Sequence, residues 1–150
     1  MAEPVWVYVD GVFDLFHRGH VEFFRKARAL GDRLVVGIHG DADVARYKPA
    51  PILSFEERQA VVAACRHVDR VAETPAPLEC TAERLDALGA TFCVHGDDMD
   101  EERLQFFYAD LMPRGRLRTV GYTPSIASRE IVARIVDRYR PRTLQMDAGE

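Results

Sequence analysis

Residues 5–20 read VWVYVDGVFDLFHRGH, and the order of their chemistry decides how the rest of the chain is read. Val5, Trp6, Val7, Tyr8 and Val9 form a continuous β-branched and aromatic run, which suits a strand buried on both faces better than an alternating edge strand. Asp10 and Gly11 break that run. From about Arg18 the apolar residues Val21, Phe24, Ala27 and Leu30 recur at helical offsets, with Gly31 placed to stop the helix. The stretch therefore predicts strand, glycine turn, helix. His17 and His20 fall around the helix start, where an offset of three puts both rings on one face beside unpaired backbone N–H groups. Such an end favours anions, and two imidazole donors aimed at it suit phosphate oxygens whose negative charge grows during transfer. Gly19 lets a ligand approach the backbone with no Cβ in the way. Taken alone, H-x-x-H reads first as two surface histidines in an ordinary loop; a zinc pair lacks further Cys or His at ligand spacing nearby.

Working outward, Arg33 to His39 (RLVVGIH) is a second buried-type strand directly after the first helix, as a parallel βαβ unit requires. Asp41 and Asp43 follow it in a turn, and Arg46 to Pro51 is a Pro-rich basic loop. Ser54 and Glu57 form a capping box, opening a helix with Arg58 in its first turns and Val61, Val62 and Cys65 on its apolar side. A short strand at His67 to Ala72, a capped helix from Thr81 to Leu88 ending at Gly89, and a strand at Ala90 to His95 follow. The loop HGDDMD, a helix from about Glu101 to Leu111, the basic connector PRGRLRTVGYTP and a last helix from about Ser128 to Arg140 complete the pattern. This alternation predicts an α/β fold, a Rossmann-like doubly wound parallel sheet in a single domain over 1–140, with a polar tail at 141–150. Ligands of such sheets bind beyond the carboxyl ends of the strands. His17 and His20 follow the first strand, Asp41 and Lys48 the second, Asp97 and Asp98 the fourth, so all fall on one rim.

A length of 150 residues fits one domain with one sizeable core. A hydrophobic share of 47% with no apolar run near the length of a membrane span excludes an integral anchor, and the N-terminal MAEP lacks the blocks of a signal peptide. A cytoplasmic setting is expected. The net charge of −4 argues against a nucleic-acid partner. Cys65, Cys80 and Cys93 are odd in number and without metal spacing, which predicts buried thiols.

The string from Gly11 to His20, G-V-F-D-L-F-H-R-G-H, resembles the signature of the cytidylyltransferase family, G-x-F-D-x-x-H-x-G-H, and the resemblance runs from about Val5 to Arg140. It is nearest the ethanolamine-phosphate branch, through Arg28, Ala29, His39 and H-G-D-D. The resemblance implies an enzyme that transfers CMP from CTP to a small phosphate- or phosphonate-bearing acceptor with release of pyrophosphate, assisted by Mg²⁺ held largely by the triphosphate and needing no metal ligands from the protein. His17, His20 and Lys48 take the catalytic positions. Gly11, Val12, Phe13, Gly19, His95, Gly96, Asp97, Asp98, Thr123, Ser125 and Ser128 take nucleotide positions, and Asp14, Arg58, His39 and Asp41, with Lys48, the acceptor and phosphate positions. The residues themselves also allow plainer roles: Asp14 as a turn stabiliser, Lys48 as a solvated loop charge, Arg58 as a surface charge or a support of the Lys48 loop, Asp97 and Asp98 as turn and capping groups. The resemblance further implies a homodimer, and it leaves open a longer parent chain with another domain.

Two departures bear on substrate choice. The family string R-T-x-G-I-S-T-S-D-I corresponds to Tyr122–Ile131, so the arginine becomes Tyr122 and one hydroxyl becomes Ala127; Arg118 and Thr119 lie upstream as substitutes, and Ser128 reads either as a phosphate contact or as a helix N-cap. Pro77 and Leu78 stand where enzymes acting on phosphocholine or phosphoethanolamine carry an aromatic residue, which a quaternary ammonium needs for cation–π attraction. Phosphocholine is thus expected to be poor, and 2-hydroxyethylphosphonate or glycerol 3-phosphate become competing acceptors. A non-catalytic nucleotide-binding regulatory module and an adenylyltransferase remain as other classes.

Overall fold

The computed structural model describes residues 2–124 and 126–141. Five strands, β1 (Trp6–Gly11), β2 (Arg33–Ile38), β3 (Arg70–Val71), β4 (Phe92–Gly96) and β5 (Leu117–Val120), form one sheet in the order β3-β2-β1-β4-β5. Every pairing is parallel. The helices are α1 (Arg18–Arg28), α2 (Asp41–Ala45), α3 (Phe55–Ala63), α4 (Ala82–Leu88), α5 (Glu101–Tyr108) and α6 (Ser128–Tyr139). Because side chains alternate along a strand, β1 feeds both faces. Val7 and Val9 join Phe24, Ala27 and Val62 on the side of α1 and α3, while Tyr8 joins Leu85 and Tyr108 on the side of α4 and α5. This is the doubly wound sheet that the alternation of strands and helices predicted, with β1 buried on both faces as its continuous apolar run required.

Local signals fixed the element ends well. Ser54 and Glu57 form both halves of the capping box of α3, Thr81 caps α4, and Gly89 ends α4 with φ 70°, a left-handed position that glycine takes without a Cβ penalty. Four elements differ from expectation. Residues 41–45 form the short helix α2 rather than a turn, with Asp41 and Asp43 in its first turn, where the helix dipole favours them. Strand β3 keeps only Arg70 and Val71, because the preceding 66–69 segment turns to bring Asp69 onto Arg28, Arg33 and the Leu34 N–H. The connector holds an unforeseen strand, β5, whose existence depends on pairing with Cys93–Gly96 of β4. On α3 the buried face carries Arg58 and Val62, while Val61 is exposed. Cys80 and Cys93 are buried thiols as expected; Cys65 is only partly covered. Among the described residues no helix is long and apolar enough to cross a membrane. The polar tail, apart from Pro141, lies outside the described residues.

The sheet order reverses between β1 and β4, and the crevice above that switch point is where a doubly wound fold leaves room for ligand.

Candidate active site

A cleft of about 1230 Å³ opens over the carboxyl ends of β1, β2 and β4. That exceeds the roughly 300–1,000 Å³ of a site for one small molecule and leaves room for two substrates side by side. Its first wall is the turn between β1 and α1. Phe13 and Leu15 lie there at φ 52° and 47°, left-handed conformations that cost non-glycine residues about 1–3 kcal/mol each. Distant parts of the chain hold the turn in place. The Asp14 carboxylate accepts from the N–H groups of Ile52 (2.7 Å) and Leu53 (3.0 Å), and the Ser128 hydroxyl donates to the Asp14 carbonyl (2.8 Å).

The two histidines build the start of α1 themselves. His17 is the N-cap, its Nδ1 accepting from the Gly19 N–H at 3.0 Å, and His20 Nδ1 accepts from the His17 N–H at 3.2 Å, a capping box made of imidazoles. An Nδ1 that accepts cannot carry a proton, so both rings are fixed as the tautomer with Nε2–H, a donor on each ring. The rings stack with centroids 3.9 Å apart. Gly19 is required between them, since a Cβ there would meet the His17 ring at 2.8 Å.

Burial, then the neighbouring His17, lower the His20 pKa from 6.5 to about 3, and burial lowers that of His17 as well. A histidine whose folded pKa lies below its unfolded value takes up a proton more readily in the unfolded chain. Its contribution to stability is therefore full above pH 6.5 and is lost as pH falls towards 3, by up to about 5 kcal/mol. His20→Gln, which keeps the capping acceptor and cannot titrate, is expected to lose less stability than the wild type between pH 6.5 and 4 in urea titrations; identical losses would remove His20 from the acid response.

The floor of the cleft is Asp10, at the end of β1. Tyr108 donates to its carboxylate at 2.7 Å, and burial raises its pKa against the pull of His39, Tyr108 and His95. His39, with Nδ1 3.2 Å from the Ala76 carbonyl, and Lys48 close one side together with Tyr47 and Phe107, whose rings stand edge to face at 5.8 Å. His95, Gly96 and Asp98 line the β4 side, and Thr123, Ile126 and Ser128 the opening of α6.

The predicted residues thus divide. His17, His20, Lys48, Gly11, Val12, Gly19, His39, His95, Gly96, Asp98, Thr123 and Ser128 all line the cleft. Arg58 does not: it is fully buried, donating to the carbonyls of Leu53, Val12 and His39 and pairing with Asp41 at 2.6 Å, so it supports the loops instead of meeting phosphate. Asp41 is correspondingly held by Arg58 and the Phe55 N–H. Asp14 is a turn stabiliser, and Phe13 packs in the core against Phe24, also meeting the edge of His20. Asp97 accepts from the Tyr122 N–H at 2.8 Å and fastens the segment after β5. The N-cap of α6 is Ala127, and Ser128 spends its proton on the turn. Arg118 stacks on the Phe92 ring at 3.8 Å, outside the cleft, so it does not replace the arginine missing at Tyr122. Ser125 lies outside the described residues.

Sequence reading missed Asp10, Tyr47, Arg103, Phe107 and Tyr108, all of which line the cleft. Only Asp10 carried a signal, a carboxylate ending a buried strand just before the glycine turn. Pro77 and Leu78, where the aromatic was expected, line a separate small recess on the outside.

The Cytidylyltransferase-like family matches residues 8–141. Ethanolamine-phosphate cytidylyltransferase of Dictyostelium discoideum is 42% identical over 135 residues, covering 89% of this chain and 37% of that protein. The Mus musculus protein of the same name is 37% identical over 133 residues, covering 88% of this chain and 33% of its own. The chain thus spans about a third of the length of these curated relatives. Among solved structures, the lipopolysaccharide core biosynthesis protein of Thermoplasma volcanium superposes with a TM-score of 0.65 at 24% identity, covering 83% of this chain and all of that one, a likeness of fold.

Proposed function

The chain belongs to the cytidylyltransferase-like family, and from that membership we propose that it transfers CMP from CTP to a small phosphomonoester bearing an ammonium, of the phosphoethanolamine type. The observation that carries the reaction is the pair of stacked imidazoles, both fixed with a donor at Nε2, at the mouth of a helix start. An oxygen of the acceptor phosphate attacks the α-phosphorus of CTP; the new P–O bond forms as the bond to the bridging oxygen breaks, and pyrophosphate leaves with that electron pair. No protein nucleophile is needed. His17 and His20 donate to phosphate oxygens as charge builds on them, and Lys48 draws the two anionic substrates together. Among the described residues no three His, Cys, Asp or Glu side chains converge as a metal cage, so Mg²⁺ enters this reading as part of the MgCTP substrate.

The acceptor follows from Asp10. A carboxylate on the cleft floor, hydrogen-bonded among the described residues only to a neutral tyrosine hydroxyl, calls for a cation, and Tyr47 and Phe107 supply aromatic faces that the strand-three position lacks. An ammonium with N–H groups satisfies Asp10 better than the methylated head of phosphocholine, and glycerol 3-phosphate and 2-hydroxyethylphosphonate bring no charge at all. With MgCTP fixed, kcat/KM for phosphoethanolamine is expected to exceed that for each of the other three by about 10-fold or more, the worth of one charged hydrogen bond. Measuring pyrophosphate release across the four acceptors tests this; a preference for either uncharged head would overturn the acceptor assignment and restore the phosphonate or glycerol phosphate reading. No turnover with any acceptor would favour the regulatory module.

A further inference from the structure

We propose that Arg103 is a second cation for the acceptor's phosphate, paired in function with Lys48, and that it determines acceptor binding and not nucleotide binding; this rests on the cytidyl-transfer reading above. Seven of the eighteen arginines, Arg25, Arg28, Arg33, Arg46, Arg58, Arg114 and Arg116, are ion-paired among the described residues, and none of these lines the cleft. Lys48 and Arg103 are the two Lys or Arg side chains lining the cleft among the described residues, and neither has an ion-pair partner there. Arg103 is also well placed. The Asp100 side chain caps α5 by accepting from the Arg103 backbone N–H at 2.9 Å, which fixes the backbone and leaves the guanidinium free.

Two unpaired cations facing one cavity repel each other. Partial desolvation and then the Arg103 charge lower the Lys48 pKa, so the cations are held close at an electrostatic cost that a shared dianion would relieve. A phosphomonoester is such a dianion, and a planar guanidinium matches its oxygens two at a time. Position selects the acceptor over the triphosphate. Arg103 lies one turn before Phe107 on α5, Phe107 meets the Tyr47 ring at 5.8 Å, and the Lys48 ammonium lies 5.4 Å from that ring, so Arg103 shares the aromatic wall assigned to the acceptor, whereas the histidines stand at the start of α1.

The test compares Arg103→Ala and Arg103→Lys with the wild type, using Arg25→Ala, which loses an exposed surface pair, as the charge control. With MgCTP saturating, Arg103→Ala is expected to raise KM for phosphoethanolamine about 10- to 100-fold, with kcat within about threefold, the loss expected for a charged hydrogen bond. Arg103→Lys should recover part of it, and Arg25→Ala should change nothing. Calorimetric Kd for CTP should stay within about twofold of the wild type. An unchanged acceptor KM overturns the proposal, and so does an equal rise in Kd for CTP, which would assign Arg103 to the triphosphate. If the wild type turns over no acceptor, the cytidyl-transfer reading fails by itself. Inorganic phosphate, titrated by calorimetry, then still decides Arg103: binding weakened about 10-fold in Arg103→Ala alone supports the anion site, and equal binding by all four proteins removes it.

Discussion

His17→Asn is expected to fold like the wild type and to lose at least about 100-fold in turnover. Asparagine is a good N-cap, so its side-chain oxygen replaces the Nδ1 acceptor toward the Gly19 N–H, while the Nε2–H donor of the stacked imidazole is gone. Removing one donor aimed at a developing phosphate charge costs on the order of 100- to 1,000-fold in rate. His17→Ala should add to this a loss of about 1 kcal/mol in stability, because the cap itself disappears. His20→Gln should behave in the same way, since glutamine is the usual third residue of a capping box. The measurement is single-turnover CMP transfer beside urea unfolding. Retention of near wild-type turnover by folded His17→Asn and His20→Gln would place the chemistry elsewhere.

Arg58→Met is expected to destabilise the chain by about 3 kcal/mol or more, the cost of leaving three carbonyls without a donor at about 1–3 kcal/mol each. Its guanidinium donates to three carbonyls, of Leu53, Val12 and His39, which belong to the loop before α3, the β1 turn and the end of β2. Methionine fills the space and leaves all three acceptors without a donor. Asp41, whose side chain is 49% exposed, recovers water and adds little to the loss. Because those three segments frame the cleft, Arg58→Lys, which keeps the charge and loses the planar fork, should fold and still lower kcat. Urea midpoints of Arg58→Met within about 1 kcal/mol of the wild type would return Arg58 to the role of an ordinary helix residue.

The strand–turn–helix at residues 5–28, the buried β2, the caps at Ser54 and Thr81 and the stop at Gly89 were legible because each is set by residues within four positions of one another, where spacing alone dictates which groups meet. The histidine pair belongs with them, three residues apart on one helix start. Strand alternation likewise sufficed to put His17, His20, Lys48 and Asp98 on one rim, since a parallel sheet points all its carboxyl ends the same way. Partner choice was decided only in three dimensions. Asp14 bonds the N–H groups of a loop 38 and 39 residues away, and Arg58 bonds carbonyls 5, 19 and 46 residues away, partners that spacing along the chain does not reveal. Strand β5 needed the edge of β4 to form, and Asp10 met Tyr108 across 98 residues. A charge in a sequence states that a partner is required, not which one; chain folding gives Arg58 inward partners and leaves Arg103 and Lys48 lining the cleft with no ion-pair partner among the described residues, because only the folded chain decides which charges meet each other.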